Sequence, residues 1–318
     1  MLHPPGNPVT AEGLALGRRL FFDPILSADS TISCGTCHQP ARAFTDGRPL
    51  STGLNGRVGR RNTPGLANVG YLHQTLFWDG RADNLEAQAL HPVADPNEMG
   101  GDWPTVLARL EGHPDYRRRF RAAFGLGPTG VVNREHVGRA LAQFQRSLIS
   151  SDSKYDRVQR GQDTFTAVEQ LGFDLFFDVG DDPAVLLPTA ECAHCHPPPH
   201  FTNQQFFNNG LDRAAAPGDF SDAGRGGVTG NPHDNGLFRT PSLRNVALTA
   251  PYMHDGRMAT LAEVVAHYNR GGHYAANRSP NVAPLGLTAD QQRALTAFLE
   301  TLTDSLFVSS PAYQPPAR

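Results

Sequence analysis

Apolar residues fall at three- and four-residue spacing along much of this chain, and strand-like alternation is scarce. Ala140, Leu141, Phe144 and Leu148 recur at helical spacing within 133–148, and 102–120 has the same amphipathic character. Both stretches predict helices that close the first half of the chain. Thr288 can cap a final helix opening at Ala289 and Asp290, with Leu295, Phe298, Leu299 and Leu302 on its apolar face. Two earlier segments, Leu20-Phe21-Phe22-Asp23 and Leu175-Phe176-Phe177-Asp178, also fit helices. The pattern predicts a mostly α protein. Its apolar stretches fall short of the roughly 20 residues that a membrane-spanning helix needs.

The halves align with each other. Leu16-Gly17-Arg18-Arg19-Leu20-Phe21-Phe22-Asp23 parallels Leu171-Gly172-Phe173-Asp174-Leu175-Phe176-Phe177-Asp178, and Phe44-Thr45-Asp46 parallels Phe201-Thr202-Asn203. Arg61-Asn62-Thr63-Pro64 is followed by Leu66-Ala67-Asn68-Val69, and Arg239-Thr240-Pro241 by Leu243-Arg244-Asn245-Val246. Trp78-Asp79-Gly80-Arg81 parallels His254-Asp255-Gly256-Arg257. The second copy carries extra residues in 210–236, a Gly/Asp-rich stretch that reads as a surface loop. Two domains are expected, 1–155 and 156–318, joined near 150–161.

Between the aligned segments lie Cys34-Gly35-Thr36-Cys37-His38 and Cys192-Ala193-His194-Cys195-His196, which together use all four cysteines. Cys-x-x-Cys-His is the attachment signature of c-type haem, in which the thiols add to the vinyl groups and the histidine ligates the iron. Zinc on Cys34, Cys37, Cys192 and Cys195 would not need a His after each pair, and a thioredoxin-like pair would need a βαβ context that is missing. Two tandem cytochrome c-like domains, each with one covalent haem and a Leu-Phe-Phe helix beside it, are therefore expected. The 32 Gly and 26 Pro fit loop-rich wrapping of such a group, and the net charge of −3 gives no argument for nucleic acid. Haem attachment of this kind in bacteria normally follows export, so a periplasmic location is expected. Met1-Leu2-His3-Pro4-Pro5 is not a signal peptide, and the simplest account is a leader removed or replaced.

The duplication is an internal control. Residues 78–98 align without gaps with 254–274, an offset of 176. Gln88 then matches Val264, Pro92 matches Tyr268 and Glu98 matches Tyr274. If the central pair faces iron, Pro92 leaves an open site while Tyr268 can place an oxygen on the metal, a change of axial ligand that tunes potential. His267, His254, Met253 and Met258 are competing ligands for the second iron. From spacing alone Glu98 could be a solvated loop carboxylate, Gln88 a turn cap, Trp78 plain core and Tyr268 a packed tyrosine. His91 could assist beside Pro92 or lie at a rim, and His194 is expected to be exposed.

Almost the whole chain resembles the bacterial dihaem cytochrome c peroxidase/MauG superfamily. The matching elements are Leu20-Phe21-Phe22-Asp23, Ser33-Cys34-Gly35-Thr36-Cys37-His38, Phe44-Thr45-Asp46-Gly47-Arg48, Arg61-Asn62-Thr63-Pro64, Phe77-Trp78-Asp79-Gly80-Arg81, Glu98-Met99-Gly100 and Leu248-Thr249-Ala250-Pro251-Tyr252. The resemblance implies that His38 and His196 are proximal ligands and that Trp78 communicates between the haems. It also implies that Gln88, Pro92 and Glu98 line the first distal pocket. Asn62 with the backbone oxygens of Thr249 and Pro251 would bind calcium, which favours hard oxygen ligands. Gly53-Leu54-Asn55-Gly56-Arg57-Val58-Gly59 lacks the distal His of many conventional members, and Tyr268 stands where they have Met. Both departures look like the MauG-like branch, with an open first haem and a His/Tyr second haem.

The implied reaction is with hydrogen peroxide, Glu98 moving a proton and Gln88 donating a hydrogen bond. Electrons would come from a small cytochrome, a cupredoxin or a protein substrate. A conventional detoxifying peroxidase and a non-catalytic dihaem electron carrier are the alternatives. Gln88, Pro92 and Glu98 argue against the carrier.

Overall fold

The computed structural model describes residues 4, 6–72, 75–179 and 190–317. The reading of 1–5 as lacking a leader falls, Pro4 apart, outside the described residues. The helices are α1 (Ala11–Phe22), α2 (Cys34–Cys37), α3 (Leu85–Ala94), α4 (Trp103–Gly112), α5 (Pro114–Phe124), α6 (Arg134–Arg146), α7 (Lys154–Gln159), α8 (Ala167–Phe177), α9 (Gly226–Thr229), α10 (Leu261–Asn269), α11 (Ala289–Glu300) and α12 (Ser305–Ser309). Among the described residues the only strands are β1 (Phe206–Phe207) and β2 (Phe238–Arg239), antiparallel, with Phe206 opposite Arg239 and Phe207 opposite Phe238. The protein is thus mostly α, as the periodicity predicts.

Two units divide the chain. One comprises Met1–Leu76, Ala82–Ser150 and Leu306–Arg318, the other Phe77–Arg81 and Ser151–Ser305. A single cut at 155/156 therefore differs from the contacts in three places, each for a local reason. The backbone N–H of Arg239 donates to Trp78 O at 2.8 Å, which assigns the Trp78 turn to the second unit. The Phe307 ring packs at a tilt against that of Phe44, with centroids 5.7 Å apart, which assigns the C-terminal tail to the first. Helix α7 lies in the second unit, where Arg244 clamps Asp156 through two bonds of 2.8 and 2.9 Å.

In the first unit α6 packs against α1 and α3. Helix α1 starts at Thr10, whose hydroxyl accepts from Gly13 N, and α6 at Asn133, whose side chain accepts from His136 N. Their crossing is backbone to backbone. A Cβ on Gly17 would stand 1.9 Å from Ala140 O and 3.1 Å from Phe144 Cβ. The buried rings of Phe21, Phe44 and Phe144 meet beside it, Phe21 lying 5.1 Å from Phe144 and 6.0 Å from Phe44.

The second unit repeats this with α8, α10 and α11. Thr166 and Thr288 cap α8 and α11, the latter as the sequence predicts. A Cβ on Gly172 would stand 2.0 Å from Ala294 O and 2.8 Å from Phe298 Cβ. Phe176, Phe201 and Phe298 supply the rings, with Tyr155, Phe173 and Phe177 packed around them.

Two local expectations change. The stretch 102–120 is two helices, because Pro114 has no N–H to donate and holds His113 extended at φ −94°, ψ 110°. The 210–236 stretch is not simply a surface loop. Leu211 and Ala214 are buried, and Arg225 reaches the carbonyls of Asp79 and Gly80 at 3.2 and 2.9 Å. Among the described residues no helix is long and apolar enough to cross a membrane.

Gly17→Ala and Gly172→Ala should each destabilise the protein by about 3 kcal/mol, because overpacking at a backbone contact forces the helices apart. Urea denaturation measures this, and Ala at the exposed Gly112, where nothing lies within 4 Å, is the neutral control.

Candidate functional site

The first Cys-x-x-Cys-His segment folds as one helical turn. Ser33 opens α2, and His38 follows it with its N–H donating to Cys34 O. Gly35 is the residue that fits here, since its Cβ would stand 2.4 Å from the Phe22 ring. His38 Nδ1 lies 2.8 Å from Phe44 O. A carbonyl only accepts, so Nδ1 carries the proton and Nε2 carries the lone pair that can bind a metal. Phe44 is held at φ 67°, in the left-handed region that a bulky residue rarely occupies, and is fully buried. Burial also lowers the His38 pKa, which favours the neutral ligand form.

The second segment reproduces this with a tighter 3-10 turn, Cys192–His194. His196 Nδ1 lies 2.9 Å from Phe201 O, and Phe201 is again left-handed at φ 52° and fully buried. Burial takes the His196 pKa down to about 4, against the opposing effect of hydrogen bonds that the ring donates to the carbonyls of Phe201 and Pro241. His194 is exposed, with Nδ1 3.2 Å from Glu191.

No two of the four cysteines are joined in a disulfide. Burial pushes Cys34 up to about 12, with Cys37 and then Glu98 adding to the shift. Cys37 rises to about 11 through burial and the charges of Asp46 and Glu98. The four fall two to a unit, and no three His, Cys, Asp or Glu among the described residues gather as a metal cage. The donor set fits haem: in each unit, one neutral imidazole with Nε2 available, two thiols in the same turn and a bed of aromatic rings.

The matched helices α3 and α10 carry the distal candidates. Asn84 caps α3 and Thr260 caps α10, so Leu85 and Leu261 open them at the same 176-residue offset that the sequence alignment uses. Pro92 and Tyr268 are consequently the eighth residue of each helix. Gln88 lies one turn before Pro92, on the same face, and Pro92 cannot donate to its carbonyl. Burial pushes the Tyr268 phenol up to about 12, with Cys192 and Cys195 adding through their proximity. Asn209 Nδ2 lies 3.4 Å from both Tyr268 Oη and Met253 Sδ. Of the competing ligands, His267 is buried with Nε2 3.0 Å from Asn209 O, and His254 is buried and stacked 3.7 Å from Phe238. Tyr274, the match to Glu98, is 60% exposed.

Glu98 sits just after α3. Its carboxylate is close enough to Cys34 and Cys37 to raise both thiols, which brings it to the first motif. The loop without a histidine is fastened to it. Leu54 N–H donates to Glu98 O at 2.8 Å, Gly53 N–H to Arg57 O at 2.7 Å and Arg57 Nη1 to Pro96 O at 3.1 Å. A Cβ on Gly53 would come within 2.6 Å of Glu98 O. His91 is exposed on α3.

Trp78 lies in the second unit, where Arg239 and Arg225 hold the carbonyls of residues 77–80. Of the residues expected at calcium, Asn62 lies in the first unit, with its amide nitrogen donating to Arg48 O and Pro49 O, and Thr249 and Pro251 lie in the second. Sequence reasoning missed Asn209, Arg225 and Arg239. Only Arg239 left a signal, as the repeat partner of Arg61.

A profile of the family described as di-haem cytochrome c peroxidase matches residues 11–164. The methylamine utilization protein MauG of Methylorubrum extorquens is 38% identical over 94% of this chain and 80% of its own length. The chain belongs to the di-haem cytochrome c peroxidase family. The cytochrome-c peroxidase IdrP1 of Denitromonas iodatirespirans is 36% identical over 98% of this chain and 88% of its own. A crystal structure of a MauG-like protein associated with microbial copper homeostasis superposes with a TM-score of 0.90, at 39% identity, covering 99% of this chain and 96% of that one. The protein is thus an oxidoreductase of peroxidase type with two haem cofactors, acting on peroxide with redox partners.

Gly53→Ala should lower the rate of peroxide reaction at least tenfold by displacing Glu98, while leaving two haems per chain. Stopped-flow mixing with peroxide measures the rate and a pyridine haemochrome assay the haem count.

Proposed function

We propose that this protein is a MauG-like dihaem peroxidase, with an open haem in the first unit and a His/Tyr-ligated haem in the second. The observation that carries this reading is the pairing of Pro92 with Tyr268 at the same position of two helices capped at matching residues. Cys34, Cys37 and His38 would hold the first haem covalently, and Cys192, Cys195 and His196 the second. When bound, the haems supply the redox chemistry of peroxide reduction, which the side chains alone do not provide.

The remaining roles belong to the chain. His38 and His196 present Nε2, each kept in that tautomer by a phenylalanine carbonyl. Pro92 offers no ligating atom and would leave room for hydrogen peroxide at the first haem. The Glu98 carboxylate takes a proton from one peroxide oxygen and returns it to the other, and Gln88 donates its amide N–H to the bound substrate. Tyr268, oriented by Asn209, would help hold the second haem through Oη. Trp78 would serve as the aromatic group through which the two haems exchange electrons. Calcium on the oxygens of Asn62, Thr249 and Pro251 belongs to the same proposal, as does a periplasmic location. The electrons come from a small cytochrome, a cupredoxin or a protein substrate.

The second reading is a conventional cytochrome c peroxidase. Its support is Met253, whose sulfur shares the Asn209 amide with Tyr268, and relatives of that name at similar identity. Low-temperature EPR of the diferric protein separates the two. One high-spin and one low-spin haem, the latter changed in Tyr268→Phe but not in Met253→Leu, are expected. Two low-spin haems, or a spectrum altered only by Met253→Leu, would sink the MauG-like reading.

Glu98→Gln should slow the peroxide reaction by about 10²–10⁴-fold, the usual contribution of a positioned acid–base group. Both haems should remain bound, and a near-normal stopped-flow rate would remove Glu98 from the mechanism.

A further inference from the structure

We propose that Arg239 binds a carboxylate in the second unit, a propionate of the haem held by His196, through the guanidinium edge that carries Nη1. The inference rests on the haem reading of the second motif and adds a binding residue to it.

Among the described residues three arginines are buried: Arg146, Arg239 and Arg244. Arg244 has Asp156, with both carboxylate oxygens bonded, and Arg146 has Glu86 at 2.8 Å. Arg239 has no carboxylate within ion-pair distance among the described residues. It is only 7% exposed, and its Nη1 is fully buried and makes no hydrogen bond. A buried guanidinium left without a counter-charge is strongly unfavourable. Burial alone acts on its pKa, lowering it to about 10, so it stays charged at neutral pH.

The rest of Arg239 is committed, which fixes where that edge sits. Its backbone N–H donates to Trp78 O at 2.8 Å and its Nε to Phe77 O at 3.1 Å. On β2 it stands opposite Phe206, and two residues later the Pro241 carbonyl reaches the His196 ring. Between them Thr240 O accepts from Thr202 Oγ1 at 2.7 Å, next to the Phe201 whose carbonyl holds His196. The unpaired charge therefore belongs to the chain segment that lines the second haem motif. Haem is the anionic group this unit takes, and its propionates are carboxylates that match the flat donor edge of arginine. One residue would then tie the charge of the second haem to the backbone of the Trp78 turn.

The test uses haem-loaded wild type, Arg239→Gln and Arg239→Lys. A pyridine haemochrome assay counts haems, spectroelectrochemical titration gives the potential of the second haem, and resonance Raman reads the propionate bending bands. Loss of the cation leaves the propionate uncompensated and favours ferric iron. Arg239→Gln should therefore lower the reduction equilibrium of the second haem about tenfold, about 59 mV for a one-electron couple, and shift a propionate band. Arg239→Lys should keep most of the potential. An unchanged potential with unchanged bands in Arg239→Gln overturns the proposal. If that variant loses the second haem, Arg239→Lys decides through its propionate band, and an unshifted band overturns it. A wild-type potential that follows added chloride or phosphate, with Arg239→Gln abolishing the dependence and sparing the bands, would assign the site to a free anion instead. Only one haem per wild-type chain would overturn the haem reading itself.

Discussion

Each unit is organised around one backbone contact that admits no side chain. Gly17 lies against the carbonyl of Ala140, and Gly172 against that of Ala294, so closely that a methyl group would overlap the oxygen. The glycines let α1 meet α6, and α8 meet α11, at backbone distance. That approach places Phe144 and Phe298, one turn beyond each contact, into the ring clusters that hold Phe44 and Phe201. The two phenylalanines are in turn the residues whose carbonyls fix the imidazoles of His38 and His196. A steric constraint in the helix pair thus reaches the imidazoles of His38 and His196 through close packing, because packed interiors transmit displacement and do not absorb it.

Polar bonds repeat the logic. Asn68 and Asn245 are both left-handed, and their N–H groups donate to Leu148 O and Leu302 O, at the ends of the two closing helices. Their side chains then accept from Ser150 N and Asp304 N. Each asparagine fastens the segment after the haem motif to the C-terminal end of its unit's last long helix. Positive φ at Phe44, Asn68, Phe201 and Asn245 costs energy that the surrounding contacts offset.

The copies differ at the ends of their matched helices. Equivalent helices carry Pro92 in one unit and Tyr268 in the other, and equivalent positions beyond them carry a carboxylate beside the thiols and an exposed tyrosine. The first unit places the Gly53 loop on the Glu98 backbone. In the second, the extra 210–236 stretch supplies Arg225 to the Trp78 turn. Insertion and substitution changed the rims of a duplicated scaffold and left its helix crossing alone.

The haem motifs, the duplication and the helix starts were legible in the sequence because they depend on local chemistry: thiol spacing, capping hydroxyls and apolar residues one turn apart. Thr288 as a cap and the 176-residue register between Pro92 and Tyr268 are of this kind. Tertiary structure decided what depends on residues far apart in the chain. It assigned the Trp78 turn to the second unit and the tail to the first, brought Asn209 to Tyr268, and left Arg239 buried with no acid beside it among the described residues. Periodicity records which side of a residue faces inward. It does not record which distant carbonyl, ring or charge will meet it there.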